Sequence, residues 1–301
     1  MANTLGTTNA DVIAQEALKA MQATLPVLSQ IAADHSKEQA RFNERVIVHE
    51  VAAAAAVDFV PATGYAPSDR TQVDIPVTLN KHKHHTYGVS VQEASTSRVD
   101  LIRRFGLNAA YAIGAAVVSD LCALILAASF SNKTTKALGA GGDGFDRKTA
   151  IGVGTALSKR GVPGLGRFML LNPDYYGSLS MDITMLQVLM AGGAQAVQSG
   201  KLPNVHGFEV SEFVDLPENG QNLVGFAGTR TALALATRIP DDPGQGESNV
   251  RISTVTDDAT GLSLQVREWY EPTLAQYRRT YTLMYGVAVG QTGALQRIVS
   301  A

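Results

Sequence analysis

The sequence predicts an α+β fold built on an extended two-stranded hairpin, one long apolar helix and a C-terminal antiparallel sheet. Three patterns carry that reading. Apolar residues alternate with polar ones at Val46 and Val48, and again at Val73, Ile75, Val77 and Leu79, with Pro61, Gly64, Pro67 and Ser68 supplying turn chemistry between them. From about Ser95 to Phe130 a long helical stretch is nearly all apolar or small beyond Arg104. Alternation returns at Leu262, Leu264 and Val266, and at Tyr281, Leu283, Tyr285, Val287 and Val289, as in an antiparallel sheet with one buried face.

The elements follow in order. Residues 9–24 read as an amphipathic helix with Ile13, Ala17, Met21 and Leu25 on one stripe, Thr8 or Asn9 as cap and Pro26 as its end. A shorter helical stretch through Leu28 and Ile31 follows. Asp34 to Arg45 is a polar arm or linker. The first leg of the hairpin then passes through the small-residue run Ala52–Ala56 to Val57, Phe59 and Val60. The alternation of the return leg recurs at Tyr87, Val89 and Val91. Pro76 lies inside that leg and cannot donate to a ladder, so the strand is an edge or part of a free ribbon. A two-stranded ribbon from about Val46 to Val91 is marginal alone in water, and a neighbouring subunit is the natural surface for it.

The long helix starts near Ser95 or Ser97. Arg98, Asp100, Arg103 and Arg104 lie in its first turns, and its composition calls for burial on several sides. Ser131 to Gly144 is a polar, Gly-rich loop. A helix is expected over about Arg147 to Arg160, stopped by Gly161 and Pro163. Phe168–Leu171 is a short buried strand. Asn172 caps the next helix, with Pro173 at its first position and Asp174 behind it. Further expectations are a helix at about Ile183–Met190 and strands at Phe208–Val210 and Leu223–Ala227. Thr229 is placed as the cap of a brief helix through Ala236. A Pro/Gly/acid loop follows at Pro240–Ser248, and a strand begins at Val250 and Ile252.

Composition narrows the function. Of 301 residues, 45% are hydrophobic and 17% charged, enough for a packed core and too little charge for a disordered chain. The net charge of -2 lacks the basic excess of a protein that grips nucleic acid through its whole surface. The single Cys122 excludes an internal disulfide framework or a Cys-rich metal site. The first residues show no signal peptide, which points to a reducing cytoplasm. Leu107–Phe130 is about long enough to span a bilayer. Asp120 inside it costs roughly 2.5–3.5 kcal/mol on insertion scales, so a soluble core helix is the expected reading.

Chemical motifs are sparse. Gly139 to Gly144 matches GxGxxG, but the fingerprint requires a preceding strand and here a long helix precedes it, so the expectation is an interdomain loop. Gly161 to Gly166 reads as a turn. His82, His84 and His85, with Lys81 and Lys83, form the most concentrated cluster. A His-x-His pair on a strand aims both rings at one face and suits a metal, yet no further Cys or acidic ligand is near in sequence before Glu93. A polar strand face is therefore favoured, with contact to an acidic neighbour or to DNA as the second reading. Cys122 reads as a small core residue, and Asp120 as a partner for an Arg or a polar contact between subdomains. No catalytic, cofactor-binding or metal-binding residue is assigned, no cofactor is expected, and the chain is read as not an enzyme.

The order of elements, together with three stretches, resembles the major capsid proteins of tailed bacteriophages, the Hong Kong 97-like fold. The first stretch is Arg167 to Tyr176, an apolar strand running into an Asn-Pro helix start, with Leu179 nearby. The second is Leu202 to Val210, including His206-Gly207-Phe208, followed by Leu216-Pro217 and the strand and Ala-rich segment of Leu223 to Ala236. The third comprises Thr260-Gly261-Leu262, Trp269-Tyr270 and Tyr285 to Ala288. The resemblance covers nearly the whole chain, and its specificity lies in the order and spacing of these stretches.

The resemblance implies a division into an N-terminal arm (1–45), an extended hairpin or E-loop with its base (46–92), a P domain with a spine helix (93–145), an α/β A domain (146–249) and C-terminal strands returning to the P domain (250–301). It implies a structural virion protein that self-assembles, in the host bacterial cytoplasm, into hexamers and pentamers of an icosahedral head. That head would enclose double-stranded DNA contacted non-specifically. The short stretch before the hairpin implies a separate scaffolding protein. Portal and decoration proteins are further partners of such a shell, and no membrane is involved. Lys81 and Lys83 are the lysines the hairpin offers near its base, and crosslinking is not expected. Two alternatives follow: an encapsulin-like nanocompartment shell, and a soluble nucleotide-binding α/β enzyme using the Gly139–Gly144 loop.

Overall fold

The hairpin forms, but it ends earlier than its alternation suggests. The computed structural model of the chain describes residues 28, 30, 32–33, 42–51, 56, 58–59, 61–62, 64–65, 72–96, 101–138, 144–182, 202, 204–214, 216–217, 219–241, 250–256 and 263–301. The expected helices at 9–24 and Ile183–Met190, and the Gly139–Asp143 part of the glycine-rich loop, lie outside the described residues. Strand β1 is the short Ala32–Ala33. Strands β2 (Arg45–Val51) and β3 (Gln72–Thr78) pair antiparallel from Arg45↔Thr78 to Val51↔Gln72, as a two-stranded sheet of their own. Pro76 sits opposite Ile47, where a ribbon with two free edges tolerates its missing donor.

The alternating residues after Leu79 do not extend that ribbon. They form β4 (Lys81–Ser90), which pairs with β12 (Gln276–Val289) about two hundred positions further on. A cross-strand partner far away in sequence thus takes the backbone bonds that a longer hairpin would have made.

Strand β12 is the hub of a six-stranded sheet. It pairs with β11 (Ser263–Glu271) along Gln276–Thr282, with β9 (Leu233–Arg238) along Met284–Val289, and with β4 along Gln276–Tyr285. Because Met284 and Tyr285 pair with both β4 and β9, those two strands flank β12 on opposite sides. Strand β10 (Val250–Thr256) adds to β11, and β1 to β9.

Two helical expectations change here. The segment Leu233–Arg238 is a strand, not a helix: Arg230–Ala232 makes one tight turn, and Thr229 provides no side-chain cap. Leu233 and Leu235 face the main core while Ala234 and Ala236 face the hairpin base, so a period of two satisfies both faces. That packing outweighs the helix propensity of alanine. The long helix is also shorter. Helix α1 (Val91–Thr96) starts on a capping box in which Ser90 Oγ accepts from Glu93 N, while Glu93 Oε2 accepts from Ser90 N at 2.9 Å. Helix α2 (Leu101–Cys122) follows, and the chain turns from Ala123 onward. Side chains of a distant loop stop it: Asn219 donates to Ile125 O at 2.8 Å, and Gln221 accepts from Ala127 N at 2.8 Å.

Helix α2 buries one stripe, Ala109, Ala110, Ile113, Val117, Val118 and Leu121, and leaves Phe105, Asn108, Ala112 and Ser119 exposed, so it is not enclosed on several sides. Phe105–Cys122 is long and apolar enough to cross a bilayer by composition, but its buried stripe is the centre of the main core. That core joins the sheet residues Leu264, Val266, Tyr281, Leu283 and Tyr285 to Phe168, Leu170 and Phe226 of a second sheet.

The second sheet has the order β5-β13-β8-β6-β7: Lys133–Thr135, Leu295–Val299, Leu223–Gly228, Arg167–Leu171 and Phe208–Glu212. Its inner strands β6, β8 and β13 are buried on both faces; Phe168–Leu171 and the strand β8 therefore read as apolar or small runs, whereas β13 also buries Gln296 and Arg297. The C-terminal segment is therefore shared: β10 to β12 join one sheet and β13 completes the other. Helices α3 (Arg147–Lys159) and α4 (Pro173–Ser180) pack on its far side around Phe145, Val153, Leu157, Tyr175 and Leu179. Both start and stop as their local chemistry dictates. Asp146 and Asn172 accept from Thr149 N and Tyr175 N, and Gly161 takes φ +78 after α3. Buried arginines tie these layers through carbonyls: Arg167 Nε donates to Pro163 O at 2.8 Å, and Arg297 Nε to Phe130 O at 2.7 Å.

Candidate assembly surface

The ribbon of β2 and β3 is divided in character along its length. At its base Val46, Ile75, Val77 and Leu79 are buried and pack on Ala234, Ala236 and Met284 of the six-stranded sheet. Each such side chain contributes about 1.5–3 kcal/mol of transfer energy. Two backbone bonds close the base, Asn43 N to Leu79 O at 2.7 Å and Leu79 N to Glu44 O at 3.0 Å. Gly286 makes the seat possible. A Cβ there would overlap the carbonyl of Thr78 and crowd Val77 Cγ1.

Away from the seat the ribbon is exposed. Ile47 is 46% exposed on the outward face, and a side-chain hydrogen bond between His49 Nδ1 and Asp74 Oδ1 bridges that face at 2.8 Å. Beyond the paired strands, Phe59 is 57% and Tyr65 93% exposed, with ring centroids 5.0 Å apart. A base anchored on the chain's own sheet thus carries an aromatic pair into solvent. That arrangement suits capture of another surface.

The junction from ribbon to sheet is locked to the long helix. Lys81 Nζ lies 2.7 Å from Asp120 Oδ1, and Tyr285 donates its hydroxyl proton to Asp120 Oδ2 at 2.5 Å. The sequence offers Asp120 an arginine partner or a polar contact between subdomains; its partners here are a lysine of β4 and a tyrosine of β12. Burial pushes the Asp120 carboxyl up, but the hydrogen bonds from Lys81 and Tyr285 and the charges of Lys81 and Lys83 outweigh it and hold the group below the usual carboxylate range. Burial and the Asp120 carboxylate together push Tyr285 well above the ordinary tyrosine value.

A depressed folded-state pKa stabilises above the unfolded value, and that stabilisation is lost as pH falls through the folded value. Asp120→Asn is therefore expected to cost about 1–2 kcal/mol at pH 7, between an exposed and a buried pair. The deficit should shrink as the wild type is taken to pH 3, in chemical denaturation at both pH values. An equal deficit at both would refute the charge role.

The histidine cluster is split by the pleat. Paired residues of an antiparallel ladder share a face. His84 pairs with Thr282 and His82 with Met284, so both rings lie on the face away from α2, while His85 pairs with Tyr281 on the other. His82 Nε2 is 2.6 Å from Thr282 Oγ1. Burial, then the neighbouring His84 and Arg267, lower its pKa. Among the described residues no three His, Cys, Asp or Glu side chains gather to hold a metal. Cys122 is fully buried and its thiol is pushed up to about 12 by burial, as befits a core residue. At the start of α3 the amides a phosphate would need are taken: Asp146 Oδ1 accepts from Thr149 N and Asp182 Oδ2 from Arg147 N at 2.7 Å. Missing from the sequence reading were the exposure of Phe59 and Tyr65 and the seat at Gly286; a lone aromatic in a Pro/Gly-rich connection was the available signal for the former.

No protein-family model matches the sequence, and no curated protein matches it. Solved structures match the fold. The capsid structure of the cyanophage P-SCSP1u is similar with a TM-score of 0.60 at 11% identity, over 90% of this chain and 86% of that one. The mature capsid of bacteriophage PhiM1 is similar with a TM-score of 0.53 at 11% identity, over 90% and 85%. A structure from Microbacterium phage Oxtober96 reaches a TM-score of 0.56 at 10% identity, over 92% and 91%. At such identities the likeness is one of fold, and it extends over nearly the full length of both chains.

Proposed function

We propose that this chain, built on a fold it shares with the capsid proteins of tailed bacteriophages, is a major capsid subunit with a mechanical rather than a catalytic role. The observation that carries the reading is the ribbon: its base is buried on the chain's own sheet while Phe59 and Tyr65 stand in solvent. Many copies tile into hexamers and pentamers of an icosahedral head around double-stranded DNA, each ribbon lying on a neighbour. In this reading residues 1–45 are the arm, 46–92 the E-loop and its base, 93–145 the P domain with α2 as its spine, and 146–249 the A domain. Residues 250–301 return to the P domain and give β13 back to the A-domain sheet. A separate scaffolding protein, a portal and decoration proteins are its partners in the host cytoplasm, and the virion is its destination.

Interfaces of this kind supply by mass action the stability that one subunit lacks. Negative-stain electron microscopy of the purified protein across ionic strength and added scaffold tests the proposal. Closed shells are the expected result; small discrete particles under all conditions would overturn it. Contents separate a phage head from a cellular compartment: nuclease-protected genomic DNA supports the former, a co-purifying enzyme the latter.

A further inference from the structure

The five-stranded sheet carries an apolar knob at one end and an apolar hole at the other. The knob is Leu165, 91% exposed, in the turn 161–166 that leads from α3 into β6. This turn is fixed from beneath. Arg167, itself buried, donates from Nε to Pro163 O at 2.8 Å, from Nη2 to Val162 O at 2.5 Å and from Nη1 to Gly154 O at 3.1 Å. Gly161 and Gly166 bracket the turn at φ +78 and +72, a conformation that residues with a Cβ rarely adopt. The leucine is therefore held in one place, and burying it costs little further ordering.

The hole lies at the far end of the same sheet. Strand β6 runs from Arg167, beside the knob, to Leu171, and β8 begins there, with Asn172 N donating to Val224 O at 2.9 Å. Just before β8, Pro217 and Asn219 fold against the last turn of α2 and the residues after it. Ser119, Cys122, Ala123, Leu126, Pro217 and Asn219 line a cavity of about 150 Å³ there, with no charged side chain among them. Asn219 engages both ends of its amide with backbone, Nδ2 with Ile125 O at 2.8 Å and Oδ1 with Gln221 N at 3.1 Å, so it offers nothing to a polar guest. A cavity of roughly 150 Å³ is what one large apolar side chain leaves when it is cut back in a packed core, and it is smaller than the roughly 300–1,000 Å³ of an ordinary small-molecule site. Val214, 70% exposed two residues beyond β7, stands at this same end.

We propose that Leu165 of one copy inserts into the cavity between Cys122, Leu126 and Pro217 of the next, a head-to-tail contact between copies of this chain. One molecule cannot make the contact with itself. The five residues of β6 separate knob from hole by about 17 Å, beyond the reach of a leucine side chain. Because the two surfaces differ, each copy gives one knob and receives one, and contacts of this kind close into rings where the rotation permits. One leucine falls well short of the roughly 1,200–2,000 Å² that a stable pair of proteins buries. The contact therefore does not hold a free dimer; it sets the register of neighbours already joined around a ring. The inference rests on the shell reading, for which it names a contact between the five-stranded sheets of adjacent subunits.

Cysteine pairing tests the contact in the full chain. Leu165→Cys and Ser119→Cys, both at exposed positions, are combined on a Cys122→Ala background whose fold is checked by circular dichroism. Assembly is run under mild oxidation and the products are resolved on a non-reducing gel. The pair should give a ladder of trimers and larger species that collapses with reductant, and peptide mapping should find the bond between positions 119 and 165. Each single cysteine variant on that background should stop at dimers. In the native background Leu165→Ser should leave the melting temperature unchanged and raise the concentration needed for assembly at least tenfold, whereas Leu165→Met should assemble as the wild type does. Closed wild-type shells with no ladder from the double variant, with dimers alone, or with Leu165→Ser assembling at wild-type concentrations would overturn this contact and leave the shell reading standing. A ladder from a chain that never closes into shells would do the reverse, and the absence of both shells and ladder would remove both.

Discussion

Replacing Gly286 with valine is expected to lower the melting temperature by several degrees and to release the hairpin base from the sheet. The physical argument is local. Gly286 lies on β12 opposite Ala236, and its absent Cβ leaves room for the carbonyl of Thr78. The obstruction is backbone, so it cannot be relieved by turning a side chain. Overpacking of this kind costs about 1–3 kcal/mol. Lifting Thr78 also returns part of Val77 and Leu79, both fully buried, to water. Gly286→Ala should show a smaller effect in the same direction, because the Cβ itself makes the collision. Thermal unfolding reads the stability. Limited proteolysis reads the seat, with faster cleavage in the ribbon at temperatures where the sheet is still folded. Unchanged melting and unchanged cleavage would show that the ribbon does not depend on this seat.

The second large effect is on assembly rather than folding. Phe59→Ser combined with Tyr65→Ser should leave a soluble, folded subunit that does not close into shells. Both rings are largely exposed in the single chain, so removing them costs the fold little. Aromatic anchors of an interface commonly contribute 2 kcal/mol or more each. A loss of about 2 kcal/mol is roughly thirtyfold in an association constant, and two such losses approach a thousandfold. Every subunit of a shell repeats the contact, so the concentration needed for closure should rise beyond the working range. Circular dichroism and gel filtration establish the fold of the variant, and electron microscopy establishes the absence of shells. Closed shells at the wild-type concentration would remove the ribbon tip from the assembly contacts.

What could be read from residues alone was whatever is specified within a few positions. Asp146, Asn172-Pro173 and Gly161 mark the helix boundaries near them because a cap or a left-handed stop needs only adjacent backbone. The two ribbon legs were legible because a period of two survives wherever one face is buried. The strand Leu295–Val299 passed unmarked, since Gln296 and Arg297 interrupt its apolar run and are buried only through bonds to Arg160 and Phe130, far away in sequence. The end of α2 was overrun because Ala123–Phe130 is apolar enough to continue a helix. Its stop depends on Asn219 and Gln221, nearly a hundred residues away.

The sequence by itself determined an α+β chain with a ribbon, a long apolar helix and an antiparallel C-terminal sheet, and its order of elements pointed to the capsid fold. Tertiary structure decided where the ribbon stops, that Leu233–Arg238 is a strand, that Lys81 and Tyr285 meet on Asp120, and that His82 and His84 share a face with Arg267 and Arg278 while His85 does not. The reason is register. Which side chains become neighbours across β4, β12 and β11 depends on pairing between segments far apart in the chain, and a slip of one residue would send each of them to the other side of the sheet.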